Sequence, residues 1–136
     1  MTKKNITEEM ITEQICGYLS YFSSGQLNRI APGGFFKNGT MRKHKSKYIK
    51  RGMADIQFIL NGMFFAFEIK TPAEHKYIIK HGKKIADTPP DLLNKKRFHI
   101  WEQIQYLEGV RRNGFVGEFI SNVDQVQEIL YKHISR

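Results

Sequence analysis

A single cysteine, Cys16, in a chain of 136 residues excludes an intrachain disulfide and any zinc cluster built on several cysteines. One free thiol suits the reducing cytosol, so a cytoplasmic protein is expected. No apolar run approaches the ~20 residues that cross a bilayer, and no membrane partner is expected. The basic start Met1-Thr2-Lys3-Lys4-Asn5 is not followed by the apolar segment of a secretory signal. Five histidines, His44, His75, His81, His99 and His133, are scattered without a His-Glu-x-x-His element. Ser121 and Ser135 have no visible base partner, so a hydrolase triad has no support either. The most informative absence is of acid. Between Glu13 and Asp55 there is no Asp or Glu, while Arg29, Lys37, Arg42, Lys43, Lys45, Lys47, Lys50 and Arg51 all lie in that interval.

What is present suits one compact domain spanning 1–136, since 40% apolar residues suffice for a real core and leave no room for a second. A net charge of +9, concentrated in the acid-free interval, is the signature of a protein that binds a polyanion. The stretch 37–51 contains Asn38-Gly39 and Ser46 and has no clear periodicity, so it reads as a basic loop leading into Asp55. Such a loop would hold phosphates. The plainer alternatives are a solubilising loop, or one that meets an anionic membrane surface or an acidic protein.

Twelve residues separate Asp55 from Glu68, and they explain why the two acids matter together. Ile56 to Leu60 and Met63 to Phe67 are apolar at almost every position and flank Asn61-Gly62, the dipeptide that favours a two-residue hairpin turn. Asp55 then begins one strand and Glu68 ends the next, at the same end of an antiparallel pair. Lys70 follows Glu68 by two residues and so points to the same face. The alternative is a turn aspartate beside a solvated Glu–Lys pair. Near-continuous apolar strands, buried on both sides, argue against surface decoration. Carboxylate oxygens are the hard ligands that Mg²⁺ or Mn²⁺ takes.

Elsewhere the pattern is of alternating helices and strands. Thr7 caps a helix with Glu8 and Glu9 in its first turn, and Ile11, Ile15, Leu19 and Phe22 make its apolar stripe to about Ser23. Gln26 to Ile30 reads as a strand before the turn Ala31-Pro32-Gly33-Gly34. The segment 71–96, with Pro72, Gly82 and Pro89-Pro90 and the basic residues Lys76, Lys80, Lys83 and Lys84, reads as a long connection of functional or mobile character. A helix from about Lys96 carries Trp101, Ile104, Leu107 and Val110 to Asn113-Gly114. Trp101 is expected in the core rather than stacked on a base. Phe115 to Ile120 reads as a buried strand and Asp124 to His133 as a closing helix. The order predicts a mixed sheet flanked by helices.

These residues resemble the PD-(D/E)XK nucleases, and among them the virus-type replication-repair nuclease (VRR-NUC) domains. Gly52-Met53-Ala54-Asp55 resembles the family's strand start, with Ala54 where the family usually has proline. Glu68-Ile69-Lys70 resembles its Glu-x-Lys strand end, and Gln103 its helical glutamine, with Gln105 as a rival. Glu8 resembles the helical acid, with Glu9 and Glu13 as rivals. The resemblance implies a restriction-endonuclease-like core, αβββαβ plus a C-terminal helix, with 71–96 as an insertion. It implies Mg²⁺ or Mn²⁺ held by Asp55, Glu68, the Ile69 carbonyl and Glu8, and catalysis by Asp55, Glu68, Lys70 and Gln103. The implied activity is phosphodiester hydrolysis of DNA, branched DNA included, by a homodimer. A site-specific nicking or restriction-like enzyme would share the same site. A non-catalytic nucleic-acid-binding module or a basic protein-interaction domain would not need those side chains.

Overall fold

A computed structural model of the chain describes residues 6–29, 35–37, 40–42 and 54–134, with the two short segments described by backbone alone. Thr7 accepts a hydrogen bond from the Met10 N–H at 3.2 Å and opens helix α1 (Glu8–Leu19), with Glu8 and Glu9 at the end where the macrodipole favours acid. The helix ends short of the expected Ser23 because the chain turns at Ser20, whose hydroxyl donates back to the Gly17 carbonyl. Strand β1 (Gln26–Arg29) follows.

Within the basic stretch, β2 (Phe35–Lys37) and β3 (Thr40–Arg42) pair antiparallel, Lys37 opposite Thr40, as a separate two-stranded sheet. The expectation of an unbroken loop over 37–51 is corrected to that extent. Three-residue strands are too short to show an alternation. Lys43, Lys45, Lys47, Lys50 and Arg51 lie outside the described residues, as do Gly52 and Met53 and the turn at 31–34.

Strands β4 (Ile56–Leu60) and β5 (Met63–Ile69) form the expected hairpin, Leu60 opposite Met63. Asn61 and Gly62 turn the chain with φ of 51° and 77°, the positive values that a two-residue turn of this hand needs. Strand β6 (Val116–Ile120) lies parallel to β5, which requires a crossover. That crossover is made by α2 (Pro72–Asp87), a 3₁₀ turn (Pro90–Leu92) and α3 (Lys95–Arg112), and α4 (Val123–Ile134) closes the described chain. The segment 71–96 is therefore mostly a regular helix and not the irregular connection expected. Its start is a capping box, Thr71 and Glu74 bonding each other's backbone and side chain, with Pro72 in the first turn.

The principal sheet has the order β1-β4-β5-β6, mixed and open. Alternation divides its residues between two faces. Ile56, Phe58 and Leu60 of β4, with Phe65, Phe67 and Ile69 of β5, pack on Ile11, Ile15 and Leu19 of α1 and Val126 and Leu130 of α4. On the opposite face Ala66 meets Leu107 of α3, and Gln57 donates to the Tyr106 hydroxyl at 3.0 Å. Helix α2 packs on α3 through Ile78, Ile85, Ile100 and Ile104, with Trp101 half-buried beside them and stacked on Phe98 as a core aromatic. The fold class is α/β, a mixed sheet between helices. No helix among the described residues is long and apolar enough to cross a membrane.

Helix α3 approaches the sheet most closely at Gly117. A Cβ added there would stand 2.8 Å from the Leu107 carbonyl oxygen, a backbone atom that cannot rotate away. Gly117→Ala is expected to destabilise the protein by about 1–3 kcal/mol, the range of core overpacking. Urea denaturation measures it, and an unchanged midpoint would contradict this packing.

Candidate active site

Register brings the acids together. Ile56 pairs with Phe67, so Asp55, one residue earlier, falls opposite Glu68 at the end of the hairpin. One Asp55 oxygen accepts the Ile69 N–H at 2.9 Å, which fixes its carboxylate against the strand end. Alternation then places Glu68 and Lys70 on the α3 face, and both are buried, 4% and 6% exposed. The Lys70 N–H donates to the Ile120 carbonyl at 2.8 Å, tying the site to β6. From α3, the Gln103 side-chain amide reaches across to Glu68 and donates at 2.7 Å. Gln103 is itself buried, and its partner is Glu68 rather than Lys70. Gln105, its rival, is half-buried and lines a separate concavity with Phe64, Trp101 and Tyr106.

Glu8 is the helical acid that joins this group. Its carboxylate meets that of Glu74 and acts electrostatically on Asp55, Glu68 and Lys70. Glu9 and Glu13 instead bind Arg29, Glu9 in a close pair and Glu13 at 2.9 Å. These two pairs remove both rivals, and they also occupy the guanidinium of Arg29, which the sequence suggested for nucleic-acid contact. All three side chains are exposed, so the pairs contribute little to stability.

Two members of the site are missed by sequence reasoning. Glu74 is placed by the capping box that begins α2 directly after Lys70: Thr71 donates to it from its hydroxyl at 2.8 Å and from its N–H at 3.2 Å. The signal was present as Thr71-Pro72-Ala73-Glu74, a helix start attached to a strand end. His99, one turn before Gln103 on α3, has its Nε2 3.3 Å from the Gln103 amide nitrogen. Helical spacing from Gln103 points to it.

Crowded acids shift one another's pKa values. Burial first, then the charge and hydrogen bond of Asp55, push Glu68 up to about 10, with Lys70 opposing and Glu8 reinforcing. Partial burial, then the hydrogen bond and charge of Glu74, raise Glu8 to about 7. Glu74 moves down: against partial burial, hydrogen bonds from the Thr71 side chain and backbone and from Glu8 favour its charged form. With the carboxylates ionised, Glu68 Oε2 and Gln103 Oε1 are buried with no hydrogen-bond partner among the described residues. A buried acceptor left unmatched is costly.

Among the described residues, no three His, Cys, Asp or Glu side chains are already gathered as a metal-holding group. What the site offers is a carboxylate pair with an unmatched oxygen, beside the Ile69 backbone. That is a set of hard oxygens of the kind Mg²⁺ takes, since Mg²⁺ is bound by one or two carboxylates and keeps water or phosphate in its remaining positions. The residues fit a hard divalent cation. Two concavities lie elsewhere, one at Phe64 and Trp101 and one between α1 and α4 at Phe22 and Leu130. Neither includes any of the clustered acids or Lys70. The chain matches no protein-family model and no curated protein.

The shift of Glu68 has a signed consequence for stability. Its folded pKa lies above the unfolded value, so the folded protein keeps a proton that the unfolded chain loses as pH rises above 4.5. Without divalent cation, this group should lower stability by about 1.4 kcal/mol per pH unit between 4.5 and about 10. Glu68→Gln should remove that slope. Urea denaturation of both proteins from pH 5 to 9 checks it; parallel pH dependences would contradict a protonated Glu68.

Proposed function

We propose that the chain is a metal-dependent DNA endonuclease with a restriction-endonuclease-like core (αβββαβ plus a C-terminal helix), of the PD-(D/E)XK kind and nearest to VRR-NUC domains. One observation carries the reading: Asp55, Glu68, Lys70, Gln103 and Glu8, drawn from α1, α3, the end of β5 and the positions flanking the hairpin, and separated by as many as 95 positions in the sequence, lie at one sheet end. In the sheet order, the hairpin, the parallel β6 and the flanking helices, the fold is compatible with such a core. Helix α2 would be the added element relative to it.

A divalent cation, Mg²⁺ or Mn²⁺, bound by Asp55, Glu68, the Ile69 carbonyl and Glu8, would lower the pKa of water and offset charge on the scissile phosphate. Asp55 and Glu68 supply the anionic oxygens for it. Lys70 would orient the attacking water and neutralise charge developing on phosphate. Gln103 holds the Glu68 carboxylate in place through its amide. Glu74 restrains Glu8. The bond broken is a phosphodiester, with water as nucleophile. The acid-free stretch from Lys37 to Arg51 would supply affinity for the DNA backbone; of its cations Lys37 and Arg42 fall on β2 and β3. Branched DNA is the substrate class of choice, and a two-fold homodimer would let so small a domain cut two strands.

Asp55→Asn and Glu68→Gln should each lower Mg²⁺- or Mn²⁺-dependent cleavage by roughly 10²-fold or more, the scale of losing one charge-stabilising group. DNA binding should survive. Incubation with plasmid, linear, flap and four-way-junction DNA, with metal or with EDTA, measures this; cleavage undiminished in the double variant would remove the site. Replacing Lys43, Lys45 and Lys47 with Gln should weaken binding to all sequences alike and reduce the salt slope by about 0.9 for each phosphate no longer neutralised. A retained slope with altered sequence preference would make the loop a reader instead. Light scattering should give twice the 15.9 kDa chain mass, and a monomer with and without branched DNA would exclude the dimer.

A further inference from the structure

The α2–α3 layer carries positive charge for which the fold has no use. Lys76, Lys80 and Lys84 recur every four residues, so they share one face of α2 and repel one another. Lys95, Lys96 and Arg97 fill the first turn of α3, where there is no acid and the macrodipole disfavours cations. The ion pairs of the described residues involve Arg29 and Arg111, and none of these six. Both placements weaken a helix, and among the described residues no acidic side chain pairs with these cations.

Two of these cations, Lys96 and Arg97, are also held in position. Tyr77 of α2 serves as a post between the helices: Lys96 Nζ lies 4.2 Å above its ring, and Arg97 Nε donates to its hydroxyl at 3.0 Å. His81, one turn along, places its ring 4.6 Å from that of Tyr77, and Lys80, Lys84, Lys96 and Arg97 all act electrostatically on it. With Nε committed to Tyr77, the terminal nitrogens of Arg97 remain to meet an anion. The cluster is continuous with the acid site, because Lys95, His99 and Gln103 follow at four-residue spacing and His99 touches Gln103. Eight residues, about 12 Å of helix, separate Lys95 from Gln103, roughly three to four base-pair steps of duplex.

We propose that this α2–α3 face is a second nucleic-acid contact, one that holds the phosphate backbone of a duplex arm flanking the cut. The inference rests on the nuclease reading and extends it from chemistry to the way substrate lies across the protein. The contact is electrostatic and blind to sequence, since the Tyr77 ring is already engaged by Lys96 and His81 rather than offered to a base.

The test is binding of a labelled duplex in EDTA over a series of salt concentrations, for the wild type and a Lys80→Gln, Lys84→Gln, Lys96→Gln triple variant. The slope of log affinity against log salt should fall by about 2–3 units, equally for unrelated sequences. The corresponding triple arginine variant should restore it. The melting temperature of the glutamine variant should be unchanged or higher, because like charges have been separated. Wild-type slope and affinity in the glutamine variant would overturn the inference, as would a lost slope that arginine fails to restore. Loss of binding to phosphatidylserine vesicles, with DNA binding intact, would assign the face to a membrane and overturn it as well. A wild type that binds no duplex removes the nuclease reading together with this one. A wild type that binds and cuts, beside a glutamine variant with unaltered slope, removes this inference alone.

Discussion

The constraint on which the rest depends is the placing of a buried carboxylate, Glu68, opposite a half-buried one, Asp55, at the end of one hairpin. Like charges so placed in a low dielectric cannot both stay ionised without a counter-charge. The surroundings answer in part: Lys70 opposes the upward shift of Glu68, the Ile69 N–H donates to Asp55, and the Gln103 amide donates to Glu68. They leave Glu68 two states: ionised, with Oε2 unmatched, or protonated to about pH 10 and hydrogen-bonded to Asp55. The arrangement is unfavourable for an empty protein and favourable for one that takes up a hard cation. Strain of this kind is what a functional site retains while the core around it stays apolar.

The fold is arranged to keep that end of the sheet fixed. Apolar residues of β4 and β5 lock one face onto α1 and α4, while small Ala66 and Gly117 let α3 come close enough on the other for Gln103 to reach Glu68. The capping box at Thr71 turns the chain from β5 into α2 directly after Lys70, and this turn carries Glu74 to Glu8. The adjoining α2–α3 surface is the opposite of the site in character, basic and exposed. Acid at the sheet end and cations along the crossover helices make a gradient along which a phosphate chain would lie.

Much of this could be read from the sequence where local rules suffice. Asn61-Gly62 between apolar runs specified the hairpin and hence the meeting of Asp55 with Glu68, whereas Gln103 came only from the resemblance of its helix to the glutamine helix of the nuclease pattern. Helix α2 was hidden because its fully buried face is only Ile78 and Ile85, seven residues apart, while four lysines, Gly82 and an initial proline dominate its appearance. Glu8, Glu9 and Glu13 could not be separated by helical spacing, because the choice is made by Arg29 on another element, which binds two of them. Glu74 depended on a capping box that fixes a helix start to a strand end, a feature visible only if the helix is recognised first.

On this reading the acid pair is a cation site closed by a proton. Calorimetric titration of Mn²⁺ into the protein at pH 7, repeated in buffers of different ionisation enthalpy, tests it most directly, because a ligand must lose its proton when metal enters. With Glu68 protonated until about pH 10 and Glu8 titrating near 7, binding should release at least one proton per ion, from Glu68 and in part from Glu8, and Glu68→Gln should abolish the binding. Absence of Mn²⁺ binding, or binding that Glu68→Gln leaves intact, would contradict it.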